Sequence, residues 1–314
     1  MRKPATAAGS GTGGLRGVML KRPLLSYFFM AYVVKYAFVV PLTLSTWGYY
    51  SGDWQVFFAL STFGPFVGGV VMAYLIDGRA GVDRLLRRIR QWKLGWPWLL
   101  VVFVAIPVLF MLSVAVVPGS LVGFGSQGQS AVALVVSYVL NYVVIWFLGG
   151  PLGEEVGWRG FALPRMLSRY GPLGGTLLLG VIHCFWHFEE FFTSSQGGGP
   201  GTGWTPFVVN LPLFLILVIS FNVIMTWVFN NTKGSLFAAT SFHASWDTPQ
   251  GVLLPLFPAV GLASMLVGMD AVFGSMALLA IVVTRGSLSY KPSENAALLQ
   301  GAGGKTAADW AETR

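Results

Sequence analysis

Three groups of ionisable residues recur at helical spacing in the second half of the chain, and together they could activate water. Glu154 and Glu155 are adjacent, and Arg159 follows Glu155 by four residues. On a helix that spacing lets Glu155 and Arg159 pair on one face and turns Glu154 about 100° away. A carboxylate left free beside a neutralised one suits general-base chemistry. His183 and His187 are also four apart, as are His243 and Asp247, and these are all three histidines of the 314-residue chain. If the three faces converge, a base, one or two imidazoles and a polar pair surround one point. Water held there could be activated directly or through a bound divalent metal.

Each pair also has an ordinary reading. Glu155–Arg159 on its own is a common helix-surface ion pair. A histidine in an apolar helix usually packs with one hydrogen bond, and Asp247, two residues before Pro249, could simply end a helix. The ordinary readings weaken when taken together, because every histidine belongs to an i, i+4 polar pair. Competing signatures are missing from the sequence. His183-Cys-Phe-Trp-His187 has no glutamate in its insert, so it is not the His-Glu-x-x-His zinc motif, and Gly-x-Ser-x-Gly does not occur. Gly123-Phe-Gly125-Ser-Gln-Gly128 matches a dinucleotide fingerprint in letters only, since no strand precedes it.

The elements that must position these groups are membrane helices. The chain is 54% hydrophobic and only 10% charged, with a mean hydropathy of +0.67. Its apolar runs reach the roughly 20 residues needed to cross a bilayer. The fold class is therefore all-α, a polytopic membrane protein with about eight transmembrane helices. Expected spans are 24–47, 56–75, 98–117, 131–148, 173–192, 207–229, 236–256 and 262–284. Gly64 and Gly68 give the second span a Gly-x-x-x-Gly contact face. Residues 78–93 read as an amphipathic helix lying on the cytoplasmic headgroups, its arginines towards anionic lipid. Residues 1–22 read as a flexible basic N-terminus, 23–288 as one transmembrane domain with a catalytic core at about 150–250, and 289–314 as a disordered tail.

The net charge of +8 comes from basic residues gathered between spans, which makes it an orientation signal and not a nucleic-acid surface. Loops after the third and fifth spans carry no Lys or Arg, so both termini are expected in the cytoplasm of a multi-pass cytoplasmic (inner) membrane protein. Expected partners are membrane lipids and a membrane-associated peptide or protein, with no nucleic acid. The single cysteine, Cys184, leaves His and carboxylates as the metal ligands available.

Glu154-Glu155-x-x-x-Arg159, then an aromatic-rich helix ending in His187, then His243-x-x-x-Asp247, resembles the three motifs of the CPBP family of intramembrane proteases (CAAX protease and bacteriocin-processing, or Abi). The eight-span layout agrees. This resemblance implies hydrolysis of peptide bonds in a membrane-associated substrate. Glu154 would activate water with help from His187, Glu155 and Arg159 would support it, and His243 and Asp247 would stabilise the oxyanion or complete a metal site. A divalent ion such as zinc would then be held by Glu154, His187, His243 and Asp247.

Two positions depart from the pattern. His183 stands where the family usually has Phe, and it is assigned to the wall of the site in preference to the ligand set. Asp247 stands where Asn is frequent, and an ionised Asp cannot donate a hydrogen bond, so it suits a metal or a histidine better. Readings from other classes are a non-catalytic peptide-binding scaffold of the same fold and a proton-coupled transporter; the transporter should show inverted repeats, and none is evident. One geometric tension accompanies the assignment. At 1.5 Å per residue His187 lies ~24 Å from the helix start near Gly171, but His243 only ~15 Å from Lys233. The helices must be tilted or staggered for the two to meet.

Overall fold

Apolar runs this long satisfy their backbone polar groups internally only as helices, and that dictates the architecture. The computed structural model describes residues 14–49, 55–126 and 128–300, and among them the chain is helical with no strand. After a short α1 (Leu15–Lys21), the first apolar run is α2 (Pro23–Thr46) and the second is α3 (Gln55–Ser61) with α4 (Gly64–Ile89). The third is α5 (Trp96–Leu100), which passes through a wider π turn into α6 (Ile106–Ala115), and the fourth is α7 (Ala131–Leu148). The acidic motif occupies α8 (Pro151–Gly157), followed by a π turn and α9 (Leu163–Tyr170). Then come α10 (Pro172–Trp186), α11 (Leu211–Asn231), α12 (Leu236–Val252), α13 (Leu262–Val283) and α14 (Pro292–Leu299).

Each of the eight expected spans is therefore helical. Six helical stretches among the described residues are long and apolar enough to cross a membrane. The other two, α10 and α12, have only 15 and 17 residues. They reach about 22 and 26 Å, short of the ~30 Å hydrocarbon core. These are the helices that carry the histidines, and their early ends leave room inside the bundle.

Small residues set how closely the helices approach. A Cβ on Gly64 would lie 2.3 Å from the Ala31 carbonyl oxygen of α2, and one on Gly157 would lie 2.1 Å from the Pro65 carbonyl oxygen of α4. Gly157 thus lets the Glu154–Glu155 turn press directly onto α4, and Gly153 lets it press onto Thr62 just before α4. Two apolar clusters form. One joins α2, α4, α8, α9 and α10 around Trp158, Phe161 and Trp186, and the other joins α6, α11, α12 and α13 around Phe221, Phe242 and Phe273. The ring of His183 contacts Trp158 and Trp186 of the first cluster and Phe221 of the second, so the polar groups lie at the seam. Helix α7 has no buried residue and presents an apolar surface outward.

Three expectations are corrected. The amphipathic segment is a helix that follows a break at Gly78, whose φ of +60° only glycine adopts freely, but its arginines do not all face outward. Its Arg88 turns inward and donates to the carbonyls of Gly234, Gly160 and Arg159 at 2.8, 2.9 and 3.0 Å, the last two in the π turn between α8 and α9. Nor is the chain beyond residue 289 wholly unstructured: in α14, Asn295 is buried and donates to the Pro164 carbonyl and to Ser168 Oγ. At the other end α1 occupies part of the stretch expected to be flexible. The remainder of both expected tails, 1–13 and 301–314, lies outside the described residues.

Candidate active site

Glu154 and Glu155 are both buried on the first turns of α8, and they diverge as adjacent helical residues must. Arg159 Nη1 donates to Glu155 Oε1 at 2.9 Å, and both side chains are fully buried. The other arm of the guanidinium, Nη2, donates to Asn222 Oδ1 of α11 at 2.8 Å. That bond fixes the Asn222 amide, since arginine has no acceptor and only the oxygen can face it. Asn222 Nδ2 then points at His183 Nδ1, 3.3 Å away. His183 Nδ1 must accept, so the ring proton is on Nε2, which donates to Glu154 Oε2 at 3.1 Å. A chain of polar contacts thus runs from Glu155 through Arg159, Asn222 and His183 to Glu154.

His243 Nδ1 of α12 lies 2.8 Å from Glu155 Oε1, and its Nε2 is 3.4 Å from Asp247 Oδ2. His187, at the end of α10, places Nδ1 2.6 Å from Glu190 Oε1, which leaves Nε2 as its outward nitrogen. The His183 ring is 5.2 Å from that of His187 and 6.4 Å from that of His243, centroid to centroid. Around them is a cavity of about 270 Å³. Glu154, His187, His243 and Asp247 line it together with Phe214, Leu217 and Phe221, the rings of Phe214 and Phe221 packing against His187 and His243.

All six expected residues, Glu154, Glu155, Arg159, His187, His243 and Asp247, therefore gather in one region. Their pairing differs from the expected one. His183 does not merely line the wall: it is the histidine bonded to Glu154. It sits one turn nearer the start of α10 than His187, ~18 Å along the helix, which matches the ~15 Å depth of His243 and removes the tension over depth. His243 contacts Glu155 and not Glu154. Among the described residues, the His/carboxylate group near enough for one ion, with ligand atoms within 4.8 Å of one another, is Glu154, His183 and His187. His243 and Asp247 fall outside that group, because Glu155 holds one imidazole nitrogen and the other faces Asp247.

Asn222, Lys35, Glu189 and Glu190 were missed. Lys35 Nζ is 2.7 Å from Glu189 Oε1 and 3.9 Å from Glu190 Oε1. The signal was present, since Lys35 is the only charged residue within α2 and Asn222 interrupts an otherwise apolar stretch of α11.

A buried carboxylate hydrogen-bonded by an imidazole lines a cavity inside a helical membrane protein, an arrangement that suits an intramembrane hydrolase. Residues 136–249 match the family model for type II CAAX prenyl endopeptidase, Rce1-like. The chain is also 24% identical over 226 residues to CAAX prenyl protease 2 of Methanococcus maripaludis, an overlap of 69% of this chain and 80% of that protein. With the order of the motifs, these matches support an intramembrane endopeptidase of the CAAX/CPBP type.

Proposed function

We propose that the chain cleaves a prenylated protein near its C terminus, with Glu154 as the general base. The observation that carries this is the Glu154 carboxylate, held on one oxygen by His183 and lining a cavity whose walls also carry Phe214, Leu217, Val218 and Phe221. A prenyl chain suits those side chains, and the names of the family model and the relative point the same way. Glu154 takes a proton from water as the oxygen attacks the scissile carbonyl carbon. His243, protonated on both nitrogens between Glu155 and Asp247, donates from Nε2 to the oxyanion. When the C–N bond breaks, the proton on Glu154 passes to the leaving amine. One oxyanion donor is worth ~10²–10³ in rate.

The expected metal reading fits this geometry only in part. One carboxylate and two imidazoles are a known catalytic zinc donor set, and such an ion would supply Lewis-acid polarisation and a more acidic water. His187 meets the requirement, with Nδ1 on Glu190 and Nε2 outward. His183 does not. Arg159 and Asn222 make its Nε2 a proton donor, with no lone pair for a metal. We therefore assign a glutamate-dependent reaction with both chain ends on the cytoplasmic side of the cytoplasmic membrane. The test is turnover of a fluorogenic farnesylated peptide by purified protein in nanodiscs, with metal content measured on the same sample. Glu154→Gln should lose ~10²–10⁴ in rate. Full activity of that variant would sink the assignment.

A further inference from the structure

Lys35 has no place in the reaction just described, yet it stands at the mid-point of α2 with its side chain only 2% exposed. It continues the buried stripe Tyr27, Ala31, Lys35 and Val39, where an aliphatic residue would pack equally well. A cation at that depth is retained only with partners. Its partners are Glu189 and Glu190, the two acidic residues of the turn Phe188–Phe192 that follows α10, and the face of the Trp186 ring, 3.6 Å from Nζ. Glu190 in turn holds His187 Nδ1. The ammonium is thus two contacts from an imidazole that lines the cavity, and Lys35 lines it too.

We propose that Lys35 is a positioning residue: it pins Glu189 and Glu190 so that Glu190 holds His187 with the Nδ1 proton inward and Nε2 facing the cavity. Two adjacent carboxylates on a short turn repel each other, and without the ammonium that repulsion works against the 2.6 Å contact of Glu190 with the ring. Helix packing does not require this lysine. Tyr32 donates its hydroxyl to the Ile182 carbonyl at 2.7 Å, and Trp47 Nε1 donates to the Phe192 carbonyl at 2.8 Å. These two bonds tie α2 to the same region from either side of Lys35.

Within the proposed function His187 Nε2 faces the cavity beside Glu154 and helps hold the attacking water, and its ring state can be read without turnover. With three histidines in the chain, ¹⁵N NMR of histidine-labelled protein resolves each tautomer. Wild type should show His187 protonated on Nδ1, and Lys35→Met should move that signal towards a mixture of tautomers. Lys35→Arg should restore it. Glu190→Met, which removes the link while leaving Lys35 on Glu189, should give the same mixture if Lys35→Met fails to fold. On the farnesylated peptide, Lys35→Met should lower kcat about tenfold with little change in KM, in the range seen for residues that orient a reacting group. The Lys35→Met/Glu190→Met double variant should be no worse than the poorer single one. An unchanged His187 signal in either single variant would overturn the proposal. A wild type inactive on the peptide would refute the substrate reading and leave the NMR result standing.

Discussion

Glu155 Oε1 accepts from Arg159 at 2.9 Å and lies 2.8 Å from His243 Nδ1, while its chain neighbour Glu154 bonds His183 instead. One turn of helix therefore serves two purposes. Glu155 is consumed by structural partners, and Glu154 keeps an oxygen for the cavity. The split follows from the rotation between successive helical residues, and it separates the consequences of removing each acid.

Glu155→Ala should damage the fold. It leaves the fully buried Arg159 guanidinium with Asn222 as its remaining side-chain partner. Breaking a buried ion pair from one side costs about 3–5 kcal/mol. A thermal melt in detergent should show a clear fall in Tm for Glu155→Ala and little change for Glu154→Gln. Equal melting temperatures for the two variants would contradict the division of roles.

Asn222→Leu should preserve the helix and disturb the site. Asn222 is the only bridge described between Arg159 and His183, and losing it frees the His183 ring to change tautomer. Loss of a partner that orients a reacting group lowers activity by ~10–100-fold. Peptide turnover should fall by that amount while the far-UV circular dichroism spectrum stays helical. Turnover within twofold of wild type would show that Glu154 does not depend on the chain of bonds from Arg159.

Much of the fold was legible because span length and apolarity are properties of contiguous sequence. Each of the eight expected helices is present, and the four-residue spacings of Glu155–Arg159 and His243–Asp247 became contacts. What escaped was held by residues far apart in the chain. Arg159 and Asn222 are 63 residues apart, and Lys35 and Glu189 lie on different helices, so no periodicity joins them. Arg88 looked like a headgroup contact because its neighbours in sequence are basic, and the carbonyls of Gly160 and Gly234 that it turns inward to meet are far from it in the chain. His183 was set aside because the family pattern usually has Phe there, although the depth of His243 already favoured the earlier of the two histidines.

His183→Phe tests that choice directly. The substitution places the usual family residue at the position and removes the bond to Glu154 Oε2. If His183 acts only by orienting Glu154, turnover should fall about 10–100-fold. The metal content of the purified protein should stay the same, since Nε2 carries a proton and does not ligate. A stoichiometric loss of bound metal in this variant, matched by loss of activity, would show that His183 is a ligand and that the tautomer argued from Asn222 is wrong.

Gly157→Ala probes how the acidic turn is placed. The added methyl would lie 2.1 Å from the Pro65 carbonyl oxygen, and the obstacle is backbone that cannot swing aside. Helix α8 must then move off α4, and overpacking of this kind costs about 1–3 kcal/mol. Because Glu154 and Glu155 ride on the same turn, activity should fall together with Tm, unlike the case of Glu154→Gln. Gly153→Ala meets the Thr62 carbonyl oxygen at 2.7 Å and should show the same effects in milder form. Both variants should melt earlier than wild type, with Gly157→Ala the lower of the two. The reverse order, or an alanine at 157 with wild-type turnover, would mean that α8 has slack against α4 and that the glycines do not position the base.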